Sequence, residues 1–199
     1  MPVIRTLVVM AKTPRIGHGK SGLARDVGRV PAWRINCALH AHTFRIARDR
    51  RWHLTIAVTP DRDVRARLPG VWPKDAVRHG QGQGDLGARM TRALHRVRGA
   101  VAIIGTDCPD ATRADIASAF AALARAPIAI GAATDGGFWI LAARRARDAT
   151  KAFRAVRWSS PHTLADVQAR LRGPIARVRT LSDIDTAEDW RAYLRRRNA

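Results

Sequence analysis

The sequence predicts an α/β fold in which a mostly parallel central sheet carries helices on both faces, giving three layers. Two observations predict it. Short β-branched or apolar runs alternate along the chain with longer segments of helical period. Glycines, lysines and aspartates collect directly after those runs, where the carboxyl ends of parallel strands form a ligand crevice. The 199 residues suit one domain, 1–199, with no linker, repeat or break in composition.

The elements follow in order. Residues 6–11 (TLVVMA) form a first buried strand, within an apolar run that starts at residue 3. That run carries Arg5 and meets no small-residue cleavage site, so it does not read as a signal peptide. A Gly- and Lys-containing loop covers 12–24. Residues 31–50 set Ile35, Leu39 and Ile46 at helical spacing before a strand at 53–58 (HLTIAV). Residues 60–85 read as loop. Leu86, Met90, Leu94 and Val97 then line one face of a helix over 86–98, ahead of a strand at 100–105 (AVAIIG). Thr112, with Asp115 three residues on, caps a helix through Ile116, Phe120 and Leu123. Strands are expected at 127–132 and 138–143, followed by a loop at 144–161. After a short strand, Thr186 caps the last helix, with Glu188 and Asp189 in its first turn and Trp190, Tyr193 and Leu194 as its buried stripe.

Composition narrows the function classes. No apolar run reaches about 18 residues, so no membrane-spanning helix is expected. Cys37 and Cys108 match neither a metal knuckle nor a disulfide framework, which fits a reducing cytoplasm. Lys and Arg number 36 against 16 Asp and Glu, a formal charge of +20. Such a surface attracts polyanions. Only Lys12, Lys20, Lys74 and Lys151 are lysines, however, and the arginines spread through nearly every segment. That distribution points to an arginine-biased proteome, and nucleic acid is not the expected partner. The densest patch, Arg195 to Arg197, closes a helix, where cations favour the dipole.

Four segments carry the candidate chemistry. In 12–24 (KTPRIGHGKSGLA), Gly17 and Gly19 let backbone N–H groups approach phosphate oxygens and Lys12 and Lys20 add charge. Pro14 stands where a Walker A loop needs glycine, so this is a phosphate-facing loop of another type. In 100–110, Asp107 ends an apolar strand and can coordinate Mg²⁺ or Mn²⁺ bridging a diphosphate, since hard cations select oxygen. Cys108 reads as a small core residue. In 131–141, Asp135 precedes Gly136, Gly137 and Phe138, and is placed to bind a sugar hydroxyl or a metal, although Asp-Gly is equally a turn signal. In 181–190, either Asp183 or Asp185 can supply a second metal ligand, or both can cap the helix.

The ordered set resembles the bacterial glycosyltransferase-like proteins of GT-A type once classed as a domain of unknown function, some of them associated with arsenosugar biosynthesis. The resemblance rests on Lys12-Thr13-Pro14, Gly17, Lys20 and Leu23, then Gly84-Asp85-Leu86-Gly87-Ala88-Arg89-Met90. It continues with Gly105-Thr106-Asp107-Cys108-Pro109, Asp135-Gly136-Gly137-Phe138 and Asp183-Ile184-Asp185-Thr186-Ala187-Glu188-Asp189. It spans nearly the whole chain. It implies a Rossmann-like nucleotide-diphospho-sugar transferase fold in which Asp107 is a metal ligand, Lys20 faces phosphate, and Asp85 with Arg89 borders the nucleotide. Two departures matter. Ser21-Gly22 stands where the family has Thr-Arg, which removes a cation, and Phe138 replaces a tyrosine. Both imply weakened or altered catalysis.

The expected activity is transfer of a sugar from a nucleotide-sugar to a small-molecule acceptor, with a divalent metal stabilising the departing diphosphate and Asp135 as general base. Nucleotidyl transfer from a nucleoside triphosphate is the first alternative, and Gly22 counts against it. A catalytically weakened nucleotide- or polyanion-binding protein is the second.

Overall fold

The computed structural model describes residues 4–198; Val3, at the start of the first apolar run, lies outside them. Among the described residues seven strands form one sheet, in the order β3-β2-β1-β4-β6-β5-β7. They are β1 (Arg5–Lys12), β2 (His53–Thr59), β3 (Val77–Gly80), β4 (Ala100–Ile104), β5 (Ile128–Ala133), β6 (Phe138–Ala143) and β7 (Ile175–Leu181). β6 runs antiparallel to β4 and β5, and the remaining pairs are parallel. The five strands expected from the sequence are present within a residue or two at their ends, as is the short strand before Asp183.

Strand residues alternate between two cores, as a period of two requires. Leu7, Val9, Ile56, Val58 and Ile104 face one side, with Phe44 of α2 (Arg29–Ala47) and Ile116 and Phe120 of α4 (Arg113–Ala122). Val8, Ala57, Val101, Ile103 and Ile130 face the other. There they meet Met90 and Leu94 of α3 (Leu86–His95), Ala149 of α5 (Ala146–Thr150) and Val167 of α6 (Thr163–Arg170). Each such aliphatic side chain contributes roughly 1.5–3 kcal/mol when fully buried. Covering both faces is why the strands read as continuous apolar runs. α1 (Ser21–Val27) and α7 (Ala187–Asn198) pack together through a smaller cluster of Leu23, Ala32 and Ala187.

The expected buried stripe of the last helix is only partly buried at Trp190, Tyr193 and Leu194, and Ala187 is the residue α7 buries. The structure departs from the sequence reading in three further places. α1 interrupts the segment read as loop to residue 24, because Leu23 is fully buried. Residues 60–85 hold edge strand β3 and a 3₁₀ turn (Asp61–Asp63), and deliver Trp72 into the core at 4% exposure. Residues 144–161 hold α5 and a second 3₁₀ turn (Lys151–Phe153). None of these short elements shows helical or strand periodicity over a useful window. The caps behave as expected. Thr112 and Asp115 form a reciprocal capping box on α4, and Thr186 with Asp189 forms another at the start of α7.

Candidate active site

From β1 the chain builds β2 and β3 on one side and then returns to place β4 on the other, so the direction of winding reverses between β1 and β4. Carboxyl ends of strands at such a reversal flank a crevice. A cleft of about 510 Å³ opens there. Of the residues expected from the sequence, Lys12, Lys20, Asp107, Asp135, Gly137, Phe138, Asp183 and Asp185 line it. Gly17, Gly84, Asp85, Gly136 and Arg89 do not. Asp85 instead caps α3 by accepting from Ala88 N at 2.7 Å, and Arg89 Nε donates to Gly84 O at 2.8 Å. Gly136, at φ +91, packs against the backbone of Pro161.

The loop after β1 is held at its base. Thr13 N donates to Thr59 O at 2.9 Å, Trp33 Nε1 donates to Pro14 O at 3.4 Å, and Arg15 pairs with the buried Asp63. Gly17 and Gly19 then turn the chain with positive φ. Lys20 itself is left-handed, at φ 49 and ψ 46. A non-glycine residue there stores on the order of 1–3 kcal/mol of strain, which concentrates at functional positions. The strain aims the Lys20 ammonium between two carboxylates, 2.8 Å from Asp185 Oδ1 and 3.4 Å from Asp107 Oδ2. The Lys20 side chain is 12% exposed, against 38% for Asp107 and 63% for Asp185. Burial opposes its charge, but Asp107 and Asp185 outweigh burial and hold its pKa above the ordinary value.

One backbone hydrogen bond brings the acidic segments together. Ile184 N donates to Asp107 O at 3.0 Å, and Ile184 is 1% exposed. Asp183 and Asp185 thus flank a buried anchor beside Asp107, and helix capping falls to Thr186 and Asp189. Gly22 takes part: a Cβ there would lie 2.8 Å from Asp185 O, so the close approach of the 182–186 segment requires glycine. Glycine at position 22 is therefore a packing requirement of this chain.

Four aspartates and two lysines face the cleft. Asp183, half-buried, has its pKa raised to about 6, first by burial and then by Asp135, Asp107 and Asp185. Burial and then the charges of Asp107, Asp183 and Asp135 push the Cys108 thiol far up, which disfavours the thiolate a nucleophile needs. Asp135 Oδ1 accepts from Gly137 N at 2.8 Å within the β5–β6 turn. The sequence reading missed Asn36 and His40, one turn apart on α2, and Thr106. The signal for the first two is a pair of polar residues, four apart, on an otherwise apolar helical stripe. Burial and then the charge of Lys20 lower the His40 pKa to about 3, so its ring is neutral.

Among the described residues no group of three or more His, Cys, Asp or Glu side chains is arranged to hold a metal. Mg²⁺-type sites use one or two carboxylates plus substrate phosphates and water. Asp107 and Asp185 are the cleft carboxylates that would hold such an ion.

A family model described as an uncharacterized protein conserved in bacteria (DUF2064) matches residues 42–160, more than half of the chain. The chain belongs to this family. The match takes in Asp85, Arg89, Asp107 and Asp135 to Phe138; the Lys20 loop and Asp183 to Asp185 lie outside it. No curated protein matches the chain. Among solved structures, it is similar to a candidate nucleotide-diphospho-sugar transferase from Desulfovibrio desulfuricans G20. Identity is 24% and the TM-score 0.85, over 95% of this chain and 85% of that one. It is also similar to a 4-diphosphocytidyl-2C-methyl-D-erythritol synthase from Anaerococcus prevotii DSM 20548, at 11% identity and TM-score 0.63, over 98% and 100% of the two chains. A manganese complex of Rv0371c from Mycobacterium tuberculosis H37Rv aligns at 18% identity and TM-score 0.56, over 98% and 100%. The shared architecture is the nucleotide-diphospho-sugar transferase fold.

Proposed function

We propose that this protein is a metal-dependent transferase that takes a sugar from a nucleotide-diphospho-sugar and passes it to a small hydroxyl-bearing acceptor. The observation that carries the reading is the Lys20 ammonium held between Asp107 and Asp185 at the β1/β4 crevice. A cation already occupies the space between two carboxylates, beside a second lysine, Lys12, and two further carboxylates.

Each residue has a role in this reading. Asp107 and Asp185 would hold a divalent cation, which would supply charge neutralisation for a departing diphosphate. Lys20 turns from the carboxylates to the phosphates, and Lys12 approaches from the other end of the loop. Two lysines match the two charges of a diphosphate diester better than the larger charge of a triphosphate. Asp135 accepts the proton of the acceptor hydroxyl as the anomeric carbon is attacked. Phe138 offers an apolar wall without a hydroxyl. The fold similarity to a candidate nucleotide-diphospho-sugar transferase supports the substrate class.

The test is turnover of a panel of nucleotide-sugars with Mn²⁺. Release of nucleoside diphosphate that disappears in Asp107→Ala is expected; no Asp107-dependent turnover across the panel overturns the reading. Nucleotidyl transfer is the second reading, favoured by the full-length similarity to the Anaerococcus prevotii synthase. Pyrophosphate release from a nucleoside triphosphate would decide for it.

A further inference from the structure

Behind the cleft runs a hydrogen-bond chain whose polarity is set at its far end. The Trp72 indole N–H, which can only donate, donates to His40 Nδ1 at 3.0 Å. A neutral imidazole has one N–H and one lone pair. With Nδ1 accepting, the His40 proton sits on Nε2. Nε2 lies 3.2 Å from Thr106 Oγ1, so the ring donates and the threonine oxygen accepts. The hydroxyl's own proton must then point away from His40. His40 and Thr106 both line the cleft, and Thr106 sits directly before Asp107.

The chain is rigid at its origin. Trp72 is 4% exposed, and the Arg78 guanidinium lies 5.3 Å over its ring. Arg78 also donates to Ala66 O and Pro73 O, both at 2.6 Å, which ties down the loop that carries Trp72. Phe44 packs against the same indole nearly edge-on, with centroids 6.1 Å apart. His40 is 1% exposed and cannot exchange this arrangement for water.

We infer that Trp72, through His40, turns the Thr106 hydroxyl proton away from the ring and makes Thr106 a hydrogen-bond donor into the cleft, directed at a ligand oxygen with a free lone pair: a phosphoryl or a carbonyl oxygen. Trp72 and His40 are positioning residues, and Thr106 is the contact. A ligand that offers no acceptor opposite such a donor loses a hydrogen bond there. Four carboxylates in this cleft only accept, so a neutral donor beside Asp107 adds what they lack. The identity of the ligand rests on the proposed function; the polarity of the chain does not.

The test combines three variants with two readouts. Thr106→Val keeps the shape and removes the hydroxyl, Thr106→Ser keeps the hydroxyl, and Trp72→Phe removes the indole donor while keeping a smaller aromatic ring in the core. The tautomer of His40 is read from the ¹⁵N shifts of its imidazole. Affinities are measured for UDP, ADP and inorganic pyrophosphate in Mn²⁺. The wild type is expected to be protonated on Nε2. Trp72→Phe is expected to lift the constraint on Nδ1, so that the Nδ1-protonated form, in which Nε2 accepts from Thr106 and withdraws its proton from the cleft, becomes populated. Thr106→Val and Trp72→Phe should each weaken binding about tenfold, as loss of one such bond does. The double variant should be no weaker than Thr106→Val alone, and Thr106→Ser should bind as the wild type. Loss for all three ligands identifies a phosphoryl oxygen; loss for UDP alone identifies a base carbonyl. A wild-type His40 protonated on Nδ1, unchanged affinity in Thr106→Val, failure of Thr106→Ser to rescue, or additive losses would each overturn the inference. If the wild type binds none of the three ligands, the proposed function fails, and the His40 tautomer in the wild type and Trp72→Phe still decides the polarity.

Discussion

Asp183→Asn should stabilise this protein at neutral pH, and by an amount the cleft geometry bounds. Asp183 shares the cleft with Asp107, Asp135 and Asp185, and burial followed by their charge lifts its pKa from 3.8 to about 6. At about 1.36 kcal/mol per unit, the folded state bears at most about 3 kcal/mol for ionising it. Asp183 is only half-buried, and solvent screening reduces that to roughly 1 kcal/mol. The sign follows from proton counting. Between about pH 4 and 6 the folded protein keeps a proton that the unfolded chain has lost, so stability is greatest below pH 4 and falls as pH rises through about 6. An amide cannot ionise. The variant should therefore equal the wild type near pH 4 and exceed it above pH 7, by about 2–4 °C in Tm for a domain of this size. Thermal unfolding at several pH values is the assay. Adding Mn²⁺ at pH 7.5 should shrink the difference, because the ion relieves the same repulsion in the wild type. A variant whose advantage is the same at pH 4 and pH 7.5, or absent at both, would refute the reasoning.

Three further outcomes follow from the same geometry. Lys20→Met removes the ammonium between Asp107 and Asp185; nucleoside diphosphate affinity, measured by calorimetry, should fall at least about tenfold, as for loss of a charge-assisted bond. Gly22→Ala puts a methyl 2.8 Å from the Asp185 carbonyl, so the 182–186 segment must shift. Chemical denaturation should show a loss of about 1–3 kcal/mol, as overpacking does, together with weaker Mn²⁺ binding. Replacing Arg195, Arg196 and Arg197 with alanine breaks the 2.8 Å pair of Arg196 with Asp110 and removes three positive charges. It should reduce salt-sensitive retention on heparin while leaving Mn²⁺-dependent nucleotide affinity within twofold or so, since exposed pairs contribute about 0–1 kcal/mol.

Much of the molecule is legible in its residues because the relevant signals are local. TLVVMA, AVAIIG and FWILAA announce themselves as strands because both faces of the sheet are covered. Thr112 with Asp115, and Thr186 with Asp189, mark helix starts through bonds spanning three residues. Asp107 and Lys20 stand out because each follows an apolar strand. What brings them together is not local. The Ile184 N to Asp107 O bond joins segments far apart in sequence, and it places Asp183 and Asp185 in the cleft instead of at the helix cap. Gly22 looked like a lost cation; only the approach of Asp185 shows it as a packing need.

The sequence by itself determined the fold class, the order of the main elements and the acidic and basic residues from which a site can be made, because alternation, helical period and capping act within a few residues. The tertiary structure decided which of those residues share a cleft, leaving Gly17, Gly84, Asp85 and Arg89 outside its wall and adding Asn36, His40 and Thr106. It also decided their chemical state. The elevated pKa of Asp183 comes first from burial and then from carboxylates on two other segments and its own, and the proton of His40 is set by a tryptophan in a loop with no periodic signal. Electrostatic coupling and hydrogen-bond polarity depend on distance in space, and that distance exists only once the chain has folded.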